Sequence, residues 1–247
     1  KNCTTCTAVN PGISFKPEWQ FVVPTEPMQV LHMDVAKFDA CDPMYGLVTV
    51  DAFTRRIWAF PIHTQDATVQ IGALTQHVIA EHGFPQAIIT DAHPAYTGEE
   101  WKSWCKVNGI DHQPGRGYSS THNSLAERAI ATVRNELRKS CTDPSDWAKA
   151  LPLLLLAYNS TPHTTTGFSP HFLTHLREPK IRLDSVLAAP KQLRINDAPS
   201  YALQQAAILA NAYRSCKESI IQNRTLTAKQ YAKNHGKNIP IKIKVGD

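Results

Sequence analysis

The pattern of hydrophobic and polar positions changes in character along the chain. Short runs rich in Val, Ile and Leu predict strands, and apolar residues spaced three and four apart predict helices between and after them. The expected strands are Met28–Val35, Leu47–Asp51, Ile57–Pro61, Ala87–Thr90 and Ile110–Gln113. The expected helices are Asp66–His82, Gly98–Asn108, Asn123–Lys139 and Asp146–Asn159. This order predicts an α/β fold with a mixed five-stranded sheet flanked by helices.

Two of these helices carry further detail in their sequences. The third should bury one apolar face, because its apolar residues follow the helical spacing. These residues are Ala126, Ala129, Ile130, Val133 and Leu137. In the fourth, Pro152 either kinks the helix or separates two shorter helices. A segment rich in Gly and Ser, residues 114–120, precedes the third helix and is typical of a mobile loop.

A long helix is predicted near the end of the chain. Residues Tyr201–Asn234 contain neither Pro nor Gly, and Lys217 interrupts their apolar stripe. The stripe, at near-heptad spacing, consists of Leu203, Ala206, Ala210, Tyr213 and Ile220. Such a helix packs against a partner or links two units. The alternating segment Ile239–Val245 then predicts the first strand of a further unit.

Charge is distributed unevenly over the 247 residues, whose formal net charge is +5. Residues 1–176 contain 13 basic and 16 acidic side chains, whereas residues 177–247 contain 13 basic and 5 acidic ones. A basic tail on a mildly acidic body predicts a polyanionic partner, usually nucleic acid. A solvated basic helix would have the same composition.

Composition excludes several classes of protein. The longest apolar run, Leu151–Tyr158, is too short to span a bilayer, and no signal peptide opens the chain, so we expect no membrane partner. The six cysteines are spaced too irregularly for a disulfide framework, which favours a reducing compartment. Cys3 and Cys6 have the spacing of half a zinc site. The others are expected to be packing or surface thiols: Cys41, Cys105, Cys141 and Cys216.

Three acidic residues lie where strands end or a helix begins. Asp34 ends an apolar strand, Asp91 directly follows another, and Glu127 lies near the start of the third helix. Such positions can converge on one crevice of a mixed sheet, where divalent cations would relieve the repulsion. Each acid taken alone could equally be a cap or a surface charge. The other candidates are expected to be turn or strand-end residues: Asp39, Asp42, Asp51 and Asp111.

The spacing of the acids carries a resemblance to a known family. Asp91 and Glu127 are separated by 35 residues, as in the D,D(35)E pattern of retroviral and LTR-retrotransposon integrases of the gypsy type. Four further segments resemble that family: LVTVDAFTRRIWAFP from Leu47, HGFPQAIITDAHPAY from His82, HNSLAERAIATVRNEL from His122 and AYNSTPHTTTGFSPHFL from Ala157. The chain departs from the family at His93 and Ser124, where glycine is common.

The resemblance implies an RNase H-like fold and a metal-dependent polynucleotidyl transferase with endonuclease activity. Its catalytic and metal-ligating residues would be Asp34, Asp91 and Glu127, holding two Mg²⁺ or Mn²⁺ ions. The implied reactions are 3′-end processing and strand transfer of retroelement DNA into target DNA. Two alternatives stay open. One is a domesticated, weakly active or inactive DNA-binding scaffold, and the other is a plain RNase H-like nuclease.

Five residues are candidates for DNA contacts. Arg134 and Arg138 share a helix face with Glu127, and the family places a basic residue at the position of Arg134. The resemblance implies that Tyr118 and Asn123 contact DNA, and that Ser124 alters the DNA fit. The two arginines could instead lie on a solvated helix face, and Tyr118 could simply pack its loop.

The resemblance also divides the chain into four parts. Residues 1–24 would be the remnant of an N-terminal zinc-binding domain and a linker, with Zn²⁺ held only when that domain is complete. Residues 25–180 would be the catalytic core, 181–235 a linker with the long basic helix, and 236–247 the first strand of a truncated SH3-like domain. The implied partners are element DNA ends, target DNA, other copies in a dimer or tetramer and a chromatin tether. The protein would be synthesised in a polyprotein and act in the nucleus.

Overall fold

The computed structural model describes residues 19–38, 43–115, 123–141, 143–180, 198–235 and 241–245. Its strands are β1 (Trp19–Val23), β2 (Val30–Lys37), β3 (Tyr45–Asp51), β4 (Ile57–Ile62), β5 (Ala87–Thr90), β6 (Asp111–Pro114) and β7 (Ile241–Val245). The first long helix, α1, consists of Ala67–Leu74, a π-helical turn at Thr75–Ile79 and a final turn at Ala80–His82. The remaining helices are α2 (Pro94–Thr97), α3 (Glu99–Val107), α4 (Ser124–Ser140), α5 (Trp147–Asn159), α6 (Pro170–His175) and α7 (Ala198–His235).

The central sheet has five strands in the order β4-β3-β2-β5-β6. Strands β4, β3 and β2 run antiparallel, and β2, β5 and β6 run parallel. Parallel neighbours need a crossover connection. The chain returns from β4 through α1 to β5, which lies beside β2, and α3 connects β5 to its neighbour β6. The predicted mixed five-stranded sheet flanked by helices is confirmed.

Two hydrophobic clusters cover the two faces of the sheet. Neighbouring strand residues point to opposite faces, so Leu47 joins one cluster and Val48 the other. The first cluster includes residues of α1 and α3, and the second includes α4 and α5. The five residues expected on the apolar face of α4 are all buried: Ala126, Ala129, Ile130, Val133 and Leu137.

The predicted helices differ from the observed ones in local detail. Helix α5 is one continuous element that contains Pro152, so a break into two helices there was the wrong alternative. Pro152 is exposed, and a helix can tolerate proline at such a position because water can satisfy the unpaired carbonyl group. Asp66 precedes α1 as predicted, although its carboxylate accepts a hydrogen bond from Thr64 rather than from a helix amide.

Helix α7 packs through a different stripe from the predicted one. Leu203 is 73% exposed and Ala206 and Ala210 are also exposed, whereas Tyr213 and Ile220 do face the protein. The buried stripe is Ala212, Cys216 and Ile220. It meets Val23, Phe53 and Leu173 in a third cluster. These three buried residues are four positions apart, which is the spacing expected for one face of a helix that packs on a globular surface. The described residues of α7 that precede them do not reach that surface.

The first and last strands of the chain pair with each other in a separate two-stranded sheet. Strand β1 lies parallel to β7, with Trp19 opposite Ile241 and Val23 opposite Val245. A strand was expected at Ile239–Val245 and is observed at Ile241–Val245, but its pairing with a segment more than two hundred positions earlier has no signal in the sequence. None of the described helices has the length and apolar composition needed to cross a membrane.

The cysteines, and the acidic residues that were expected at turns or strand ends, lie as expected wherever the structure describes them. Cys105, Cys141 and Cys216 are free thiols, and burial raises the pKa of Cys105 to about 11. Asp51 ends β3 and Asp111 begins β6. Four of the residues predicted from the sequence lie outside the described residues: Cys3, Cys6, Cys41 and Tyr118. Asp39 and Asp42 also lie outside them.

Candidate active site

Asp34 and Asp91 lie side by side at the centre of the sheet. Strands β2 and β5 are parallel neighbours, and His32 lies opposite Ile89. Asp34 is two residues after His32, and Asp91 is two residues after Ile89. The register therefore places the two aspartates next to each other at the carboxyl end of the paired part of the two neighbouring strands. The prediction that they share one crevice rested on the same geometry.

The charges of the other two predicted acids, Asp91 and Glu127, act on Asp34. Burial raises the pKa of Asp34 to about 6, and the negative charges of Asp91 and Glu127 add to that increase. The amide of Val35, which donates to Asp34 at 2.7 Å, and the positive charge of Arg134 lower the pKa without offsetting the rise. The structure therefore brings together Asp34, Asp91 and Glu127, which lie in three different elements.

A buried tyrosine lies beneath the two aspartates. Tyr96 is almost fully buried, and its hydroxyl group has no hydrogen-bond partner. Burial, followed by the charges of Asp34 and Asp91, raises the pKa of Tyr96 well above its usual value. Tyr96 is therefore a buried phenol near enough to both aspartates for their charges to act on it.

Glu127 is positioned by an anchor at the start of its helix. Asn123 is 5% exposed, and its amide group donates to the carbonyl oxygen of Met33 at 2.9 Å. Its carbonyl oxygen lies 3.1 Å from Nδ1 of His32. The amide of Glu127 in turn donates to the backbone oxygen of Asn123 at 3.2 Å. Asn123 thus fixes the first turn of α4, which carries an exposed Glu127, against the strand that carries Asp34.

Asp91 is positioned by two neighbours that its sequence context does not reveal. Its Oδ1 atom accepts a hydrogen bond from the amide of His93 at 3.2 Å, and the His93 ring accepts one from Ala95 at 3.2 Å. His93, which departs from the family pattern, therefore caps α2. On the other side, the amide of Gly115 donates to Thr90 at 2.8 Å, and a Cβ atom on Gly115 would lie 3.5 Å from Cα of Asp91.

Arg134 lies along α4, beyond Glu127, at the end of β2. Its guanidinium group donates to the backbone oxygen of Lys37 at 3.0 Å and lies 5.6 Å from the ring centre of Phe38. Phe38 stacks on Trp147 at 4.9 Å. Arg134 is nevertheless exposed, so its two contacts orient a cation that still faces solvent. Arg138 is exposed one turn further, and Ser124 is half-buried at the start of the helix.

The three acids were tested for their fit to a metal ion. Among the described residues, no group of three or more His, Cys, Asp or Glu side chains forms an arrangement that could hold a metal. The donor chemistry does fit a hard divalent cation, because all the donors are oxygens, and a cation would offset the charges of Asp91 and Glu127 that add to the effect of burial on Asp34. No histidine or cysteine is needed in such a set.

Sequence reasoning missed the supporting residues more than the acids. It assigned Asn123 to DNA contact and did not predict its buried bonds to His32 and Met33. In the sequence, an Asn before a helix looks like an ordinary N-cap, and its burial is not visible. Tyr96 and Gly115 carried no signal, since their importance arises from contacts between distant segments. His93 before Pro94 was the one available signal, because a residue before proline favours the extended conformation of an N-cap.

Comparison with known proteins finds relatives for a large part of this chain. The profile of the "Integrase core domain" family matches residues 24–120. The chain is 28% identical over 217 residues to the uncharacterized protein K02A2.6 of Caenorhabditis elegans, covering 84% of this chain and 17% of that protein. It is 29% identical over 189 residues to the transposon Tf2-3 polyprotein of Schizosaccharomyces pombe, covering 73% and 14%. The chain thus spans less than a fifth of either relative.

Solved structures share the fold. A chain of the simian T-cell lymphotropic virus intasome, in complex with PP2A regulatory subunit B56 gamma, matches with a TM-score of 0.60 and 23% identity over 80% of this chain and 67% of that one. The HTLV-2 integrase catalytic core domain in complex with magnesium, in its trimeric form, matches with a TM-score of 0.51 and 21% identity over 61% and 98%. The chain thus shares its fold with integrase catalytic cores, and residues 24–120 are similar to the integrase core domain.

Proposed function

We propose that this chain is the core of an active DDE-type integrase, which trims the 3′ ends of retroelement DNA and joins them to target DNA. The observation that carries the proposal is the register of β2 and β5, which brings Asp34 beside Asp91, with the helix of Glu127 anchored on β2 by Asn123. Water would attack a phosphodiester bond near each end and release a 3′-hydroxyl group. That hydroxyl group would then attack a target phosphodiester bond, and no covalent bond to the protein would form.

Asp34, Asp91 and Glu127 would hold two divalent cations, Mg²⁺ or Mn²⁺. When bound, such ions supply Lewis-acid stabilisation of the phosphate and of the attacking and leaving oxygens. The HTLV-2 core was solved with magnesium, which supports this choice. The chain contributes positioning: Asn123 fixes the helix of Glu127, and Gly115 and His93 fix the backbone and carboxylate of Asp91.

Basic and polar groups beside the acids would hold the DNA. Arg134 presents a guanidinium group oriented by Lys37 and Phe38, which suits a phosphate oxygen. Arg138 would extend this contact along α4, and Ser124 and Tyr118 would contact the DNA end. Asn123 would take part only through rearrangement, because its amide is used inside the protein.

The division of the chain and its partners belong to the same proposal. Residues 25–180 would form the catalytic core between a zinc-domain remnant at 1–24 and the linker and long basic helix at 181–235, with 236–247 entering an SH3-like domain. The partners would be element DNA ends, target DNA, further copies of the chain and a chromatin tether. Relatives include polyproteins, and one structural neighbour is a trimer, which supports release from a precursor and assembly into an oligomer. The nucleus would be the place of action.

The proposal is tested by incubating the full chain with Mg²⁺, labelled duplexes ending in the terminal sequence of its own element and a target plasmid. Glu127→Gln should abolish end cleavage and joining, because it removes a carboxylate from the cluster. The matched control is Glu136→Gln on the same helix, where the carboxylate pairs with Lys139 at 2.6 Å and does not act on Asp34. Joining that survives Glu127→Gln contradicts the assignment of Glu127. Binding of the duplexes without any cleavage favours the scaffold alternative.

A further inference from the structure

Thr90 carries a buried hydroxyl group directly before Asp91. It is the last residue of β5 and is fully buried. Its Oγ1 atom donates to the backbone oxygen of Asp91 at 2.9 Å. The hydroxyl group therefore holds the peptide group that follows Asp91. The peptide group that precedes Asp91 is held by the amide of Gly115, which donates to the backbone oxygen of Thr90 at 2.8 Å.

His112 of the edge strand β6 completes the hydrogen bonding of that hydroxyl group. The register of β5 and β6 places His112 opposite Ile88, and Thr90 lies on the same face two residues further along. Nε2 of His112 lies 3.0 Å from Oγ1 of Thr90. A hydroxyl group has one proton, and that of Thr90 is used on Asp91, so Nε2 of His112 is the donor. Two successive hydrogen bonds thus connect the imidazole ring, through Thr90, to the backbone of Asp91.

The imidazole ring of His112 is itself held by aromatic packing. Trp101 of α3 lies edge-to-face with it, with the ring centres 5.8 Å apart and an angle of 71° between the planes. Trp101 is fully buried, and Tyr96 packs against it with the ring centres 5.1 Å apart. Contacts of this kind orient a ring without using its nitrogen atoms. The helix packed on this face of the sheet therefore helps to set the orientation in which His112 donates to Thr90.

Asp91 is thereby restrained at three points. Its carboxylate accepts from the amide of His93, and the peptide groups on either side of it are held by Gly115 and Thr90. A ligand of Mg²⁺ needs such restraint, because this ion demands near-ideal octahedral geometry with oxygen atoms at about 2.0–2.1 Å. Groups that orient a metal ligand affect the affinity for the metal without touching it.

We propose that Thr90 and His112 are positioning residues for Asp91. The hydroxyl group of Thr90 fixes the backbone of Asp91, and the imidazole ring of His112 fixes the hydroxyl group. The inference rests on the proposed function in one respect, since it takes Asp91 as a ligand of a divalent cation. Thr90 and His112 act through Asp91 and contact neither the cation nor the DNA.

The test measures Mg²⁺ binding to the full chain without DNA. The carbon-13 NMR signal of the Asp91 carboxyl group is followed as magnesium chloride is added at constant ionic strength. Thr90→Val keeps the shape of the side chain and should weaken binding about tenfold, whereas Thr90→Ser keeps the hydroxyl group and should restore most of the affinity. His112→Phe should weaken binding several-fold, and His112→Gln, which keeps an N–H donor, should recover it. The control Thr161→Val removes an exposed hydroxyl group that donates to Ala157 at 2.9 Å, and it should change nothing.

A second cation and a stability measurement separate positioning from a purely structural role. Ca²⁺ accepts irregular coordination, so Thr90→Val should weaken Ca²⁺ binding less than Mg²⁺ binding. Urea denaturation gives the free energy of unfolding of each variant. A lower free energy of unfolding in Thr90→Val with the Mg²⁺ affinity of Thr90→Ser overturns the proposal, and so does an equal loss for the two ions. If Thr90→Val does not fold, His112→Phe and His112→Gln decide by the same comparison, and equal Mg²⁺ affinities in that pair overturn the role of His112.

This inference and the proposed function can fail separately, because the Mg²⁺ measurement contains no DNA. A chain that binds Mg²⁺ in the expected pattern and joins no DNA contradicts the proposed function alone. DNA joining by a chain whose Thr90 and His112 variants all bind Mg²⁺ equally contradicts this inference alone. An Asp91 signal that Mg²⁺ does not move in the unsubstituted chain also overturns the inference, because Asp91 then binds no cation.

Discussion

Asn123 and His32 are joined inside the protein, with Oδ1 of Asn123 lying 3.1 Å from Nδ1 of His32. His32 is two residues before Asp34 on β2, and Asn123 is four residues before Glu127 at the start of α4. One buried contact therefore connects the segments that present two of the three acids. The asparagine oxygen can only accept, so Nδ1 of His32 carries the proton.

Asn123→Ala should destabilise the protein by about 1–3 kcal/mol, because it removes two buried hydrogen bonds and leaves the backbone oxygen of Met33 unpaired. Urea denaturation gives the free energy of unfolding. Asn108→Ala is the matched control, since Asn108 is only half-buried and donates to Trp104 at 2.8 Å. A control that costs as much as Asn123→Ala would argue against the anchor.

Gly115→Ala should reduce both stability and DNA joining. The new Cβ atom would lie 3.2 Å from the backbone oxygen of Thr90, so the chain at Asp91 must shift, at a cost of about 1–3 kcal/mol. Gly72→Ala in α1 is the control, because no atom lies within 4 Å of its Cβ position and alanine favours the helix. It should be neutral or stabilising in thermal denaturation. Unchanged joining in Gly115→Ala would contradict the positioning of Asp91 by this contact.

Asp34 should make the protein less stable as the pH rises from about 4 to about 6. Its folded pKa is raised, so the folded state binds more protons than the unfolded state over that range, and stability falls with increasing pH. Asp34→Asn should remove this contribution and raise the free energy of unfolding more at pH 7 than at pH 4. Asp111→Asn, at an exposed strand position, should not. Urea denaturation at both pH values checks the sign.

Arg134→Gln should weaken duplex binding several-fold and reduce the salt dependence of the affinity by about one counterion, as expected for one lost phosphate contact. Arg134→Lys should restore only part of the affinity, since a lysine cannot reproduce the planar fork oriented by Lys37 and Phe38. Fluorescence anisotropy of a short labelled duplex at several salt concentrations gives both quantities, with Lys106→Gln, at an exposed position of α3, as the control. An unchanged salt slope in Arg134→Gln would show that this arginine touches no phosphate.

The sequence predicted those parts of the fold that depend on local pattern. The buried face of α4 follows from the helical spacing of residues such as Val133 and Leu137. Asp34 and Asp91 could be paired because each follows an apolar run that a parallel sheet aligns, although Asp34 does not end its strand as expected, since β2 continues to Lys37 along β3. The buried stripe of α7 could not be predicted, because Cys216 is buried only where Phe53 and Leu173 meet the helix. The contact between Thr90 and His112 was equally hidden, since it depends on the register of two neighbouring strands.

The most direct test of the three-acid site is the pKa of the Asp34 carboxyl group, measured by carbon-13 NMR of the full chain with and without Mg²⁺. Without the ion we expect a pKa of about 6, which falls towards the ordinary value in Asp91→Asn because one repelling charge is lost. Saturating Mg²⁺ should lower the pKa in the unsubstituted chain and much less in Glu127→Gln, with Glu136→Gln behaving like the unsubstituted chain. An ordinary pKa for Asp34 that is insensitive both to Mg²⁺ and to Asp91→Asn would contradict a shared site of Asp34, Asp91 and Glu127.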